Sequence, residues 1–403
     1  MNGRHGRQAG TRTIPEFTYG DLAEFTELCS QQTYAEDCPR SSEIASNVPI
    51  YDAAILRSSI KSDRDATLDE LHTVLLTGPG VFVIRSAFGQ AVVDRASSAF
   101  DTIVASEKAN GKDGGDHFAA HGANDRIWNS FQKHALVDPA SFVEYYGNEI
   151  LALAAEAWLG PGYAITAQTN IVRPGARAQE PHRDYHLGFQ TAQVAARFPP
   201  SAQIASALLT LQGAVAHSDM PLPSGPTLLL PHSQKYEAGF LAYREPAFRA
   251  VFDKMRIQIP LKKGDALFFS PALFHAAGSN TTEDVQRSAN LLQISAAWGK
   301  PMETVDRSAI VKAVWEEMAA FCACAGEGEK AALLAAVPDA YSFPTNLDND
   351  PPPAGGHCPP TQAERVARGL EEGVDADEMG RQIDAYDAMR RASVSFEPCS
   401  TKA

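Results

Sequence analysis

Apolar residues recur at helical spacing over 68–76 and over 91–105, and between them Val81–Arg85 is a short apolar run of strand type. Helical spacing returns over 139–159, where Gly160-Pro161-Gly162 closes it. The pattern then changes. Residues 164–172, 205–214, 266–269 and 289–297 are apolar runs of strand length, separated by glycine- and proline-containing turns. Beyond 300 the helical pattern resumes over 309–325, 330–337, 361–373 and 375–391, interrupted by a proline-rich stretch at 344–360 that reads as a linker or a wrapping arm. Residues 1–47 are polar and weakly patterned, and no internal repeat is present. These shifts divide the chain into a flexible leader at 1–47, a catalytic unit at 48–300 and a helical C-terminal extension at 301–403.

The chemistry gathers in the strand-rich middle. In an extended segment residues i and i+2 point to one side, so His182 and Asp184 can reach a single ion while Arg183 faces away. His275 ends the apolar run that follows Lys262-Lys263-Gly264-Asp265. Two imidazoles and one carboxylate can hold Fe(II) on one face and leave the opposite positions open for an organic acid and for O2. Arg287 lies twelve residues beyond His275, at the entry to the next strand, where a guanidinium can grip a carboxylate through two parallel hydrogen bonds. A rival pair, His182 and His186, has H-x-x-x-H spacing. Pro174, Gly175 and Pro181 argue against the helix that pair needs, and Arg183 stands where a zinc peptidase carries its glutamate.

These motifs resemble the phytanoyl-CoA dioxygenase family of Fe(II)/2-oxoglutarate oxygenases. The likeness runs in order through Gly78-Pro79-Gly80-Val81-Phe82-Val83-Ile84-Arg85, Pro181-His182-Arg183-Asp184, Ser224-Gly225-Pro226-Thr227-Leu228-Leu229-Leu230-Pro231-His232-Ser233-Gln234-Lys235, Gly264-Asp265, His275 and Arg287. The interval from His275 to Arg287 is slightly longer than the commonest family spacing, and Ala277 stands where a hydroxyl residue often supports the co-substrate. The resemblance implies a mixed α/β fold with a mainly β core, a double-stranded β-helix (jelly roll, cupin-like) with flanking helices. It further implies Fe(II) on His182, Asp184 and His275, and 2-oxoglutarate and O2 as co-substrates, with Arg287 on the far carboxylate. Oxidative decarboxylation to succinate and CO2 would accompany oxidation of a small organic molecule, most simply its hydroxylation. Asp184 argues against halogenation, because halogenases of this kind replace that carboxylate with a small residue.

Other residues are candidates for the pocket. Gln168 and Asn170 share one face of a strand, where an amide can bind a co-substrate carboxylate, and Thr210, Gln212 and Gln293 pose the same choice. His186 is expected at the substrate mouth or on the surface. Trp128, in Arg126-Ile127-Trp128-Asn129, is a pocket or a core residue, and Arg173, Arg177, Arg197 and Arg244 are charges able to steer an acidic substrate.

Composition excludes more than it selects. A net charge of −14 disfavours nucleic acid, which needs a dense basic surface, and disfavours a polyanionic thioester. No apolar span approaches membrane-helix length. The N-terminal arginines Arg4, Arg7 and Arg12 are broken up by glycines and suggest a disordered leader rather than a targeting helix. Six scattered cysteines describe no disulfide framework and point to a reducing cytoplasm. Nothing in the sequence fixes an oligomeric state.

Overall fold

The computed structural model describes residues 20–111 and 124–392. The arginines of the leader, the glycine-rich stretch from Lys112 and Cys399 lie outside the described residues. The strands are β1 Glu43–Ala45, β2 Val48–Asp52, β3 Val81–Arg85, β4 Asn124–Ile127, β5 Tyr163–Val172, β6 Thr210–Ala216, β7 Leu228–Leu229, β8 Ala266–Phe269, β9 His275–Ala276 and β10 Arg287–Ala296. Eight of them form one sheet in the order β1-β2-β3-β8-β6-β10-β5-β4, with every pair antiparallel except β2–β3. A second layer is built on β7–β9 and extended by single bridges, Leu229 to Ile257 on one side and His275 to His182 on the other.

Chain order explains the shape. From β5 onward the chain crosses to the second layer at 182, returns at β6, crosses at β7 and 257, returns at β8, crosses at β9 and returns at β10. This alternation between facing sheets is a jelly roll. Helices cover the outer face of the large sheet. Phe82, Ile165, Leu211, Phe268, Leu292 and Ile294 point into them and join one extensive apolar core. The alternate residues of the same strands point inward; Val81, Val83, Leu267 and Phe269 pack there with Leu229 and Leu273 of the second layer. A sheet covered on both faces explains why these strands read as continuous apolar runs.

Four expectations need correction. Residues 20–47 are not a flexible leader: Leu22–Cys29 is a helix capped by Asp21 whose Phe25 is fully buried against Tyr236, Phe248 and Phe274. Burying one such ring is worth about 1.5–3 kcal/mol, enough to dock a short helix despite its polar neighbours. Residues 205–209 are not strand. Pro200 starts a helix, Pro200–Leu208, and β6 begins only at Thr210. The helix expected over 139–159 is two, Pro139–Tyr146 and Glu149–Leu159, because Asn148 caps the second and Gly147 lies so close to the Phe321 ring that a Cβ would sit 2.7 Å from it.

The fourth correction concerns 301–403. Ile310, Val311, Val314, Trp315 and Met318 of the helix Arg307–Cys324, with Val366, Met379 and Ile383 of the last two helices, belong to the same core as the large sheet. The C-terminal helices are therefore part of one folded unit, and 344–360 wraps it: Ser342 donates to the Pro359 carbonyl and Asn346 to that of Arg390. Among the described residues no helix is long and apolar enough to cross a membrane.

Candidate metal centre and its cavity

His182, Asp184 and His275 come together because of where the two layers meet. His182 and His275 exchange both backbone hydrogen bonds, at 2.9 and 3.1 Å, and this narrow pairing sets their rings side by side with centroids 4.5 Å apart. Asp184, two residues on, is held by its N–H to the Pro271 carbonyl at 3.0 Å. Upstream of His275, Asp265 fixes the entry to β8 by accepting from Ser86 N and Lys262 N and pairing with Arg85. Gly264 precedes it at φ +91° with the Phe88 carbonyl 2.4 Å from where a Cβ would stand, so only glycine fits.

Both histidines are set in one tautomer. Nδ1 of His182 lies 2.8 Å from the Glu180 carbonyl and Nδ1 of His275 lies 2.8 Å from that of Leu273. A carbonyl only accepts, so each Nδ1 carries the proton and each Nε2 presents a lone pair. Those two nitrogens lie 4.0 and 3.6 Å from Asp184 Oδ2. His182, Asp184 and His275 are the one group of potential metal-binding side chains that the described residues bring together, with ligand atoms within 4.8 Å of one another.

The electrostatics suit a cation. Burial opposes ionisation of Asp184, but His275, His182 and the Gln212 amide outweigh it and hold the carboxyl down at about 2. Burial and the neighbouring His275 lower the pKa of His182 and favour the neutral imidazole that a metal requires. Gln212 on β6 donates its amide to Asp184 Oδ2 at 2.6 Å and so fixes the carboxylate from the sheet side. Two oriented imidazoles and one ionised carboxylate, all facing one cavity, fit a divalent iron with room for further ligands.

Arg183 points the other way, as strand alternation requires. It is buried, lies between the Phe240 and Phe274 rings at 5.2 and 5.3 Å, and donates to the Ser233 and Gln234 carbonyls at 2.9 and 3.0 Å. Gly239 makes that packing possible, since a Cβ there would lie 2.0 Å from the guanidinium carbon.

The triad opens into a cavity of about 610 Å3 whose wall includes Arg287, Asn170, Gln168, Gln212 and Gln293. That size is ordinary for a small-molecule site. Arg287 opposes Val172 in the β10–β5 register, and Ala289 opposes Asn170. Arg287 is only 7 % exposed and makes no hydrogen bond or ion pair with any described residue. Burial pulls its pKa down to about 10 and still leaves it charged at neutral pH. Asn170 Oδ1 is likewise buried without a hydrogen-bond partner.

Several sequence candidates lie elsewhere. Trp128, Arg173 and His186 are not on the cavity wall, nor are Thr210, Arg177, Arg197 and Arg244. Arg173 is drawn into a salt bridge with Asp125. His186 turns its Nε2 to the Lys300 carbonyl at 3.2 Å, and Trp128 packs under the Arg126 guanidinium at 5.0 Å. Among the wall residues that sequence reasoning passed over is Arg126 itself, on a strand too short to show alternation.

The chain matches the family model of phytanoyl-CoA dioxygenase (PhyH) over residues 77–289, which spans the triad and Arg287. This protein belongs to the phytanoyl-CoA dioxygenase family. As a member it is a 2-oxoglutarate-dependent oxygenase using iron, and its His-Asp-His group supplies the donor set for that metal. Similar solved structures include the non-heme alpha-ketoglutarate-dependent epimerase SnoN from nogalamycin biosynthesis, at 17 % identity over 58 % of this chain and 84 % of that one, TM-score 0.39. The carbocyclase SnoK from the same biosynthesis has 17 % identity over 54 % and 80 %, TM-score 0.40. HygX from Streptomyces hygroscopicus, with nickel and 2-oxoglutarate bound, has 15 % identity over 57 % and 87 %, TM-score 0.40. No curated protein sequence matches.

Proposed function

We propose that this family member oxidises, most simply by hydroxylation, a small organic molecule, with release of succinate and CO2. His182, Asp184 and His275 hold Fe(II), and Arg287 grips the far carboxylate of 2-oxoglutarate. The observation that carries this reading is the buried, unpaired Arg287 in the same cavity as the triad. An isolated buried cation is costly, and a carboxylate ligand removes that cost. A metal hydrolase or isomerase has no use for such a clamp. When bound, the metal with its co-substrate supplies an oxidant able to remove hydrogen from carbon.

The chain's own part is binding and orientation. The carbonyls of Glu180 and Leu273 keep both imidazole lone pairs on the cavity side, and Gln212 prevents the Asp184 carboxylate from turning. Asn170, with its uncommitted amide oxygen, and Gln168 line the same cavity as the triad and Arg287. A cytoplasmic location is consistent with the described cysteines, all free, of which Cys29 is buried with its thiol pushed up to about 12.

Anaerobic titration of the Fe(II) protein with 2-oxoglutarate tests the reading through the weak visible metal-to-ligand charge-transfer band. The band should form in the wild type and require far more 2-oxoglutarate in Arg287→Ala. Stoichiometric iron binding without a band would overturn the proposal.

A further inference from the structure

One surface helix is built inside out. In Pro200–Leu208 the polar residues Gln203 and Ser206 are buried against the protein, whereas Ile204 and Leu208, one turn apart, face outward at 40 % and 43 % exposure. Ser201 and Ala205 share that outward face. A surface helix ordinarily does the reverse, burying its apolar stripe and exposing its polar one. Here the buried polar groups are spent on the backbone. Gln203 donates to the Ala195 and Phe198 carbonyls at 3.4 and 3.1 Å, and Ser206 donates to the Tyr185 carbonyl at 3.1 Å.

The apolar face extends beyond the helix. Phe198, just before it, is exposed, and so is Phe189. Trp298 is 63 % exposed and is the one exposed tryptophan of the four. Hydrogen bonds lace these segments together: Ala296 N donates to the Leu209 carbonyl at 2.9 Å, and His186 Nε2 lies 3.2 Å from the Lys300 carbonyl. Phe189 also lines the metal cavity, so the face borders its mouth. Exposed apolar surface gathered in one place marks a contact with a partner or a membrane.

Charge selects the occupant. Residues 186–209 and 297–302 contain Arg197 and Lys300 but no Asp or Glu, in a chain of net charge −14. A second copy docked about a two-fold axis would set these cations against their own equivalents. A protein partner makes about one hydrogen bond per 100–200 Å2 of interface, yet the outward helix face of Ser201, Ile204, Ala205 and Leu208 offers a single hydroxyl. Aromatic and aliphatic side chains flanked by Arg and Lys suit the headgroup boundary of a bilayer, where the cations reach up to phosphates. The acidic remainder of the chain is repelled by an anionic membrane, so this is the face that can approach one.

We propose that the outward face of Pro200–Leu208, with Phe198 and Trp298, docks on a lipid surface bearing anionic headgroups. Arg197 and Lys300 meet the phosphates, and the mouth of the metal cavity turns toward the lipid. Docking is peripheral, since the helix has only nine residues. It goes beyond the oxygenase reading above and does not depend on it.

The test is co-sedimentation of the full, metal-free chain with phosphatidylcholine vesicles, with and without phosphatidylserine, alongside tryptophan emission. Phosphatidylserine should strengthen binding about tenfold or more, and Trp298 emission should shift to the blue as the ring leaves water. Arg197→Gln and Lys300→Gln should each weaken binding to the anionic vesicles about fivefold. The double variant Ile204→Gln/Leu208→Gln should weaken it more than about tenfold at a wild-type melting temperature, because both side chains point outward. No binding to either vesicle, equal binding to both, or binding that the double variant retains would overturn the proposal. So would a wild-type dimer in light scattering that the double variant dissociates, because the face would then belong to a second copy.

Discussion

Two pairs of histidines stand on this framework and do opposite things. His182 and His275 each give one ring nitrogen to a backbone carbonyl and turn the other toward a carboxylate and open space. His134 and His217 sit on the other side of the large sheet, packed edge-on and tilted against Phe100 at 5.2 and 5.3 Å, with hydroxyl partners: Ser141 for His134, and Ser97 and Tyr145 for His217. Burial lowers both, His134 to about 4 and His217 to about 3. A carbonyl dictates which nitrogen is protonated, whereas a hydroxyl adapts to either. The first pair is thus preset to bind a metal, and the second is a pair of neutral packing groups whose polar contacts are to hydroxyls of the core.

The sharpest way to break this comparison is to remove the carboxylate from the first pair. Asp184→Ala should weaken Fe(II) binding by more than about 100-fold and abolish 2-oxoglutarate-dependent turnover, with a melting temperature close to wild type, since the removed group faces a cavity. Fe(II) titration and thermal melts in parallel check it; retained turnover would refute the metal assignment. His134→Ala should do the reverse. Loss of a fully buried ring costs about 2–4 kcal/mol, so the melting temperature should fall by several degrees while the Fe(II) dissociation constant of the folded protein stays unchanged.

A milder cut falls between these extremes. Gln212→Leu leaves all three ligands but frees Asp184 Oδ2, and Fe(II) affinity should drop about tenfold or somewhat more, read by competition against a chelator. The smallest effect is on pH. His134 and His217 are neutral when folded, with pKa values about 4 and 3, against about 6.5 when unfolded. Between those values the unfolded chain binds more protons, so this contribution to stability is fully present above pH 6.5 and is lost as pH falls toward 4 and 3. Urea midpoints of the metal-free protein should decline across that window, and more shallowly in His134→Gln.

The sequence revealed the first pair and hid the second for a physical reason. His182 and Asp184 are two apart on an extended segment, so chain spacing alone puts them on one side, and the strand before His275 is announced by Gly264-Asp265. The partners of His217 are Ser97 and Tyr145, brought in by helices far along the chain. The same distinction separates the candidates that line the cavity from those that do not. Arg287, Asn170 and Gln168 reach the cavity because strand alternation aims them there, but Arg173, Trp128 and His186, chosen for nearness along the chain, are claimed by Asp125, Arg126 and Lys300.

In the fold, the long strands β5 and β10 were legible from their apolar runs. The helix Pro200–Leu208 was not, because its apolar residues adjoin those of β6 and only Pro200 separates the two readings. The helix Leu22–Cys29 escaped notice because its docking depends chiefly on one deeply buried phenylalanine, too little to make a pattern. The last helices were visible as helices, but a run of alternating apolar and polar positions does not say which core it joins.

Strand β4 is one edge of the large sheet and, among the described residues, pairs with β5 alone. The metal ligands and Arg287, in contrast, are braced by neighbours on the second layer or at the middle of the sheet. The cavity is therefore walled on one margin by a strand that is held from one side only, while its metal-binding floor is held from both.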